Sequence, residues 1–357
     1  MFTENKNNWG TIVIGAGQAG LATGYYLKNS GEDFIIVDAG AKIGDSWRNR
    51  WDSLKLFTPN WANALPGYPF TGNKNLHAGK DEVADFLESY AKKFDIPVLT
   101  NTKVIALEKK DGIYTVSTSR GILTCKNIVI ANGSYASPKI PSFAKKLDPN
   151  IVQIHSSVYK RASNLPVGNV LVVGAGTSGI QIAIDAVSPL RKIFVAGNPP
   201  FKIPGFILKY FGKQFVWAMN HIMTIKTKPG RKAAYAIKNK HAAAPLINTS
   251  IQDAEIAGVK HVSRIKDVVD GYPLLEDGTV LKVSTIIWCT GYACDFSWIN
   301  MDDITDESGY PLAYRGVSGK HKGLYFTGMM FQYALTSTWI NGAGRDAKYI
   351  AGFIHSN

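Results

Sequence analysis

The stretch Thr11-Ile-Val-Ile-Gly-Ala-Gly-Gln-Ala-Gly20 sets a short β-branched run directly against glycines spaced G-x-G-x-x-G. The apolar run reads as a buried strand, and the residues after the glycine turn carry a helical pattern through Leu27. Phe34-Ile-Ile-Val37 reads as the next strand, so the opening is a β-α-β unit. In that context each glycine has a task. Gly15 makes the tight turn, Gly17 lets the backbone approach a pyrophosphate, and Gly20 lets the helix pack on the strand. The pyrophosphate then sits at the helix N-terminus, where unpaired N–H groups and the dipole favour an anion. Asp38, at the end of the second strand, is placed to accept hydrogen bonds from a ribose diol. Gly15, Gly17, Gln18, Ala19, Gly20 and Asp38 are therefore candidates to hold one dinucleotide.

The same grammar returns downstream. Asn169-Val-Leu-Val-Val173 precedes Gly174-Ala-Gly-Thr-Ser-Gly179, a helix over about 178–187 follows, and Lys192-Ile-Phe-Val195 reads as the next strand. Gly174, Gly176, Thr177, Ser178 and Gly179 are candidates for a second dinucleotide. The strand that follows ends at Ala196-Gly197-Asn198, with neither an acid to grip a bare ribose nor an arginine to grip a 2′-phosphate. Asn198 could hydrogen-bond either ribose.

Between the two units the pattern predicts a helix over 80–94, strands near 103–107 and 114–117, and a buried strand at 127–130. Proline-broken, irregular helical sequence fills about 198–250, strand-like runs at 285–288 and 324–326 come later, and a helix over 336–354 closes the chain. Strands that return after the second unit predict an α/β fold of two dinucleotide-binding, Rossmann-like domains. The first spans 1–160 and 285–357, and the second is inserted at 161–284.

Composition narrows the function classes. The chain has 357 residues, 45% of them hydrophobic, enough to bury a sizeable core. Cys125, Cys289 and Cys294 form neither a disulfide framework nor a C-x-x-C pair, so no metal site is expected and a reducing, cytoplasmic compartment fits. The polar start and the early glycine argue against a leader peptide or a membrane span. A net charge of +13 could indicate a nucleic-acid partner, but no aromatic-interleaved RNA signature accompanies it. The densest basic run, Lys226 to His241, reads first as a solvated helical face and second as a funnel for cofactor phosphates. Neither a nucleic acid nor a membrane is expected as a partner, and a homodimer is left open.

Gly44-Asp-Ser-Trp-Arg-Asn-Arg-Trp-Asp-Ser-Leu-Lys-Leu-Phe-Thr-Pro59 resembles the segment that follows the first fingerprint in flavin-containing monooxygenases, a class B flavoprotein monooxygenase family. Ile154-His-Ser-Ser-Val-Tyr-Lys160 resembles the end of that family's identifying motif, and Cys289-Thr-Gly-Tyr292 its later TGY strand end. Residues 336–349 are also similar, so the resemblance to the small bacterial members covers nearly the whole chain. The sequence departs from the family pattern at Pro149 and Ile151, where a phenylalanine and a glycine are usual, and at Ala131-Asn-Gly133, where ATG is common. Tyr159-Lys160 after the histidine resembles the flavin-containing type, and a Trp-Pro there would have resembled the Baeyer–Villiger type.

The resemblance implies FAD on the first domain and NADPH, NADH or both on the second. It implies an enzyme in which hydride reduces FAD, dioxygen forms a flavin hydroperoxide, and one oxygen passes to a small soft nucleophile such as a sulfide or amine, with some ketones less favoured. It adds Ser46, Trp47, Arg48, Val104 and Gly328 as FAD-site candidates, with Arg48 pairing either with phosphate or with a surface acid. His155 is a hinge candidate near the nicotinamide, or else a satisfied interdomain histidine. Asn63 in Trp61-Ala-Asn-Ala-Leu-Pro66 is the catalytic candidate by the same resemblance; the other reading is a turn asparagine before Pro66.

Two other functions compete. A flavin oxidase or reductase would pass electrons to dioxygen without inserting oxygen, and a redox sensor would bind both dinucleotides without turnover. Cys289 and Cys294 share the C-x4-C spacing of flavin disulphide reductases, but those enzymes place the pair near the first FAD helix, so the spacing reads as coincidental. Substrate choice depends on how Phe57, Tyr68, Phe331, Tyr333 and Trp339 converge.

Overall fold

A computed structural model describes residues 6–135, 137–240 and 244–356; His241 of the basic run lies outside them. The β-branched run becomes the strand Asn8–Ile14, with Ile12 and Val13 fully buried. It pairs in parallel with Phe34–Val37 on one side and with Gly121–Ile130 on the other, and Leu324–Phe326 extends the sheet beyond Gly121–Ile130. Helix Gln18–Asn29 connects the first two strands and packs on the C-terminal helix Ile340–His355, burying Leu21 and Leu27 in one cluster with Ala347 and Ile350. Each leucine so buried contributes roughly 2 kcal/mol of transfer free energy.

The second unit repeats this plan. Strand Val170–Val173 pairs in parallel with Ile193–Ala196 on one side and Thr285–Trp288 on the other. Val152–His155 adds to Thr285–Trp288, and Lys260–Val262 closes the opposite edge. Both sheets thus reverse strand order beside the strand that precedes the glycine turn, and each glycine turn leaves the carboxyl end of that strand at the switch point where open α/β sheets bind ligands.

The topology moves the expected domain limits of 1–160, 161–284 and 285–357. Val152–His155 and Thr285–Trp288 fall within the limits expected for the first domain, yet both hydrogen-bond within the second sheet. A buried parallel strand is apolar on both faces, so its composition does not say which sheet it joins. The second sheet therefore draws its strands from between residues 152 and 288. The expected closing helix over 336–354 begins later, at Ile340, because Leu335–Thr338 winds as a 3-10 turn and Trp339 is extended. The irregular segment resolves into helices Gly205–His221 and Lys228–Lys240.

Candidate active site

The two glycine turns open onto one cleft of about 720 Å³, lined by Gly15, Gly17, Asp38, Gly176, Ser178 and Gly179 among others. The local fold explains each glycine. Gly15 and Gly174 have φ of +108° and +115°, and a Cβ on either would strike the backbone of the neighbouring strand end, Ala131 or Cys289. A Cβ on Gly20 or Gly179 would fall inside contact distance of the carbonyl oxygen of Gly15 or Gly174. Gly17 and Gly176 differ: a Cβ on either meets no protein atom within 4 Å, so neither fold nor packing requires glycine there. What a side chain at either position would fill is the cleft. Both helices, Gln18–Asn29 and Thr177–Asp185, start without a side-chain cap or a first-turn acid, leaving their N–H groups for an anion.

Around the first turn, the Asp38 carboxylate accepts hydrogen bonds from the backbone N–H of Ala16 (2.6 Å) and Gly40 (2.7 Å), which fixes it at the cleft wall. Gln18 spans the mouth of the turn: its Oε1 accepts from Trp47 Nε1 (3.4 Å) and its Nε2 donates to Thr338 O (3.3 Å). Ser46, Trp47, Val104 and Gly328 also line the cleft, as do Ala19 and Thr177. These residues fit FAD at the first turn and a nicotinamide dinucleotide at the second.

Other candidates sit elsewhere. Arg48 does not line the cleft; its guanidinium donates to Asp85 (2.9 Å) and Glu88 (2.8 Å), and these acids raise its pKa against the effect of burial. The arginine of the cleft is Arg50, which donates to Tyr292 Oη (2.9 Å) and lies over the Tyr135 and Tyr292 rings. Asn63 is 2% exposed and also lies behind the wall. Its Oδ1 accepts from Thr58 Oγ1 (2.7 Å), its Nδ2 donates to Thr58 O (3.2 Å), and Thr58 is the residue facing the cleft.

His155 is satisfied at both nitrogens. Nε2 donates to Gly291 O (3.0 Å), Nδ1 accepts from the Ser157 N–H (3.2 Å), and burial lowers the pKa, keeping the ring neutral. It backs Tyr292 edge-on at 4.8 Å and does not itself line the cleft. Asn198 is exposed and outside the lining, while His261 holds Gly197 O from the adjacent strand (2.8 Å). Of the aromatic candidates, Phe57 and Trp339 face the cleft, edge to face at 5.0 Å. Tyr68 stacks on Phe86, Phe331 is buried, and Tyr333 lies under Arg315.

Cys289 lines the cleft, but burial pushes its thiol up to about 12, so it stays protonated and is a poor partner for disulphide exchange. Cys289 and Cys294 are both free. Among the described residues lining the cleft, neither an acid–base pair nor a reactive thiol faces the two dinucleotide turns, which fits chemistry supplied by a bound cofactor.

The fold and its paired turns define the class: a two-dinucleotide flavoprotein oxidoreductase with the architecture of flavin monooxygenases. The chain belongs to the family described as pyridine nucleotide-disulphide oxidoreductase, which matches residues 12–198. It is 39% identical over 340 residues to a CzcO-like oxidoreductase of Geobacillus kaustophilus (strain HTA426), covering 95% of this chain and 96% of the relative. It is 29% identical over 385 residues to YUCCA3 of Arabidopsis thaliana, named a probable indole-3-pyruvate monooxygenase, covering 96% and 85%. The flavin-containing monooxygenase from Stenotrophomonas maltophilia superposes with a TM-score of 0.79 at 22% identity, covering 98% of this chain and 99% of that one.

Proposed function

We propose that the protein is an FAD-dependent, NAD(P)H-consuming monooxygenase that transfers one atom of dioxygen to small soft nucleophiles, sulfides and amines foremost. For a sulfide the balance is NAD(P)H, H⁺, O₂ and R₂S giving NAD(P)⁺, H₂O and R₂SO. The observation that carries the reading is the single cleft onto which both glycine turns open. Bound FAD supplies hydride acceptance and the activation of dioxygen. The first turn, Asp38 and Gln18 hold it, and the second turn presents the nicotinamide. Phe57 and Trp339 form an apolar wall that keeps water from the reacting atoms. Arg50, braced by Tyr292, offers a positive charge in the cleft that both turns share.

The test is product stoichiometry with a simple aryl alkyl sulfide as probe. Sulfoxide formed in proportion to NAD(P)H consumed supports the reading. Hydrogen peroxide alone, across a panel of sulfides and amines, would assign the protein to the oxidases.

Asn63 acts in this scheme as a positioning residue, through Thr58. Asn63→Ala removes both hydrogen bonds and leaves a buried hydroxyl unpaired, a loss of about 1–3 kcal/mol. Expected results are a lower urea midpoint, retained FAD, and a larger share of reducing equivalents appearing as peroxide. An unchanged peroxide share would restrict Asn63 to a structural role.

Cofactor preference should be weak. Ala196, Gly197 and Asn198 offer no acid and no arginine, and Lys202 faces Asp253 at 3.9 Å. NADH and NADPH are expected to differ in kcat/KM by no more than about tenfold, or about 1.4 kcal/mol. Steady-state kinetics at low salt checks this. A preference beyond a hundredfold would show that another group reads the 2′ position.

A further inference from the structure

Helix Gly205–His221 has no buried residue along its 17 positions. Phe206, Tyr210 and Trp217 are exposed to 61%, 67% and 55%, and Lys209 and Lys213 are exposed between them. The helix is kinked at Phe211, whose φ of −124° and ψ of 23° are non-helical; Phe206 and Tyr210 share a face before the kink, and Lys213 and Trp217 share a face after it. Phe201, just before the helix, is 70% exposed, and Phe211 and Ile222 add to the same apolar segment. The helix also lends Phe215 and Met219 to the cleft, and Gly212 rests on Trp61.

Charge is distributed just as unevenly. From Ala186 to Gln252 there is no Asp or Glu and there are eleven Lys and Arg, so this segment carries most of the net +13. Lys202, Lys209, Lys213, Lys226, Lys228, Arg231 and Lys232 are all exposed. A kinked helix that leaves aromatic residues exposed on both sides of its kink, set in an acid-free basic segment, has the physics of a surface-seeking element. Its rings enter the headgroup region and its lysines meet anionic phosphates.

We propose that helix Gly205–His221 docks the protein on the surface of an anionic phospholipid bilayer, lying in the interface without crossing it. Among the described residues no helix is long and apolar enough to span. A second copy of the chain is a poorer occupant, because two such faces would bring like charges together. A single-stranded nucleic acid is a poorer one too, since its binders line a groove with stacking rings, whereas these rings stand out from one helix. Docking would place the cleft wall beside a reservoir of apolar compounds. That consequence alone rests on the proposed reaction; vesicle binding does not.

The experiment is co-sedimentation of the full-length, FAD-loaded protein with vesicles of equal parts phosphatidylglycerol and phosphatidylcholine, against phosphatidylcholine alone. At least about tenfold tighter binding to the anionic vesicles, weakened by salt, is expected. The double variant Phe206→Asp, Trp217→Asp should lose that binding by a similar factor while keeping its FAD content, since neither ring is buried. Lys209→Glu with Lys213→Glu should do the same. Equal binding to both vesicles, or undiminished binding by the variants, overturns the proposal. So does concentration-dependent self-association that the variants abolish, or tighter binding to a single-stranded oligonucleotide than to the vesicles.

Discussion

Gly17→Val is expected to give a folded, colourless protein. A Cβ at Gly17 meets no protein atom within 4 Å, and the backbone there is extended with φ of −76°, so valine strains nothing in the chain itself. The space it fills is the cleft in front of the N-terminus of Gln18–Asn29, where a pyrophosphate must approach the backbone. FAD affinity should fall by at least about a hundredfold, or roughly 2.7 kcal/mol. The flavin absorbance of the purified protein and its recovery on added FAD measure this. Gly20→Ala is the informative contrast, because its Cβ collides with Gly15 O and should damage the fold itself. Full flavin occupancy in Gly17→Val would remove FAD from the first turn.

Gly176→Val should give the complementary phenotype, a yellow protein that NAD(P)H does not reduce. Gly176 also has φ of −81° and an empty Cβ direction, and it lines the same cleft from the other sheet. The kcat/KM for NAD(P)H should drop by at least about a hundredfold, roughly 2.7 kcal/mol of transition-state binding, while FAD content holds. Reduction by dithionite should be unaffected. A variant that loses FAD as well would mean that the two turns are not separate sites.

The elements that sequence reasoning placed well are those whose requirements are local. A glycine needing positive φ at Gly15, or room for a helix at Gly20, announces itself within a few residues of its strand. The elements it misplaced depend on partners far along the chain. Thr285–Trp288 is fully buried on both faces, and only its ladder with Val170–Val173, more than a hundred residues earlier, assigns it to the second sheet. Arg48 and Arg50 lie two positions apart. Asp85 and Glu88, on a helix nearly forty residues downstream, draw Arg48 away and leave Arg50 to the cleft.

The same holds for Asn63, whose turn position was visible but whose amide is taken by Thr58. His155 carried both readings in the sequence. Its neutral ring is hydrogen-bonded to Ser157 and Gly291 behind Tyr292, contacts made by residues far along the chain or by backbone geometry that composition does not reveal. Tyr135 and Tyr292 gave no signal of their own as partners of Arg50, although Tyr292 closes the Cys289-Thr-Gly-Tyr292 motif.

The central claim is that one cleft brings a flavin and a nicotinamide dinucleotide together for hydride transfer. Anaerobic titration of the purified yellow protein with NADPH or NADH, followed at the flavin absorbance band, tests it most directly. Bleaching complete at about one equivalent, reversed when air is admitted, is the expected result for a two-electron transfer between paired sites. A flavin that stays yellow while the nicotinamide binds would contradict it.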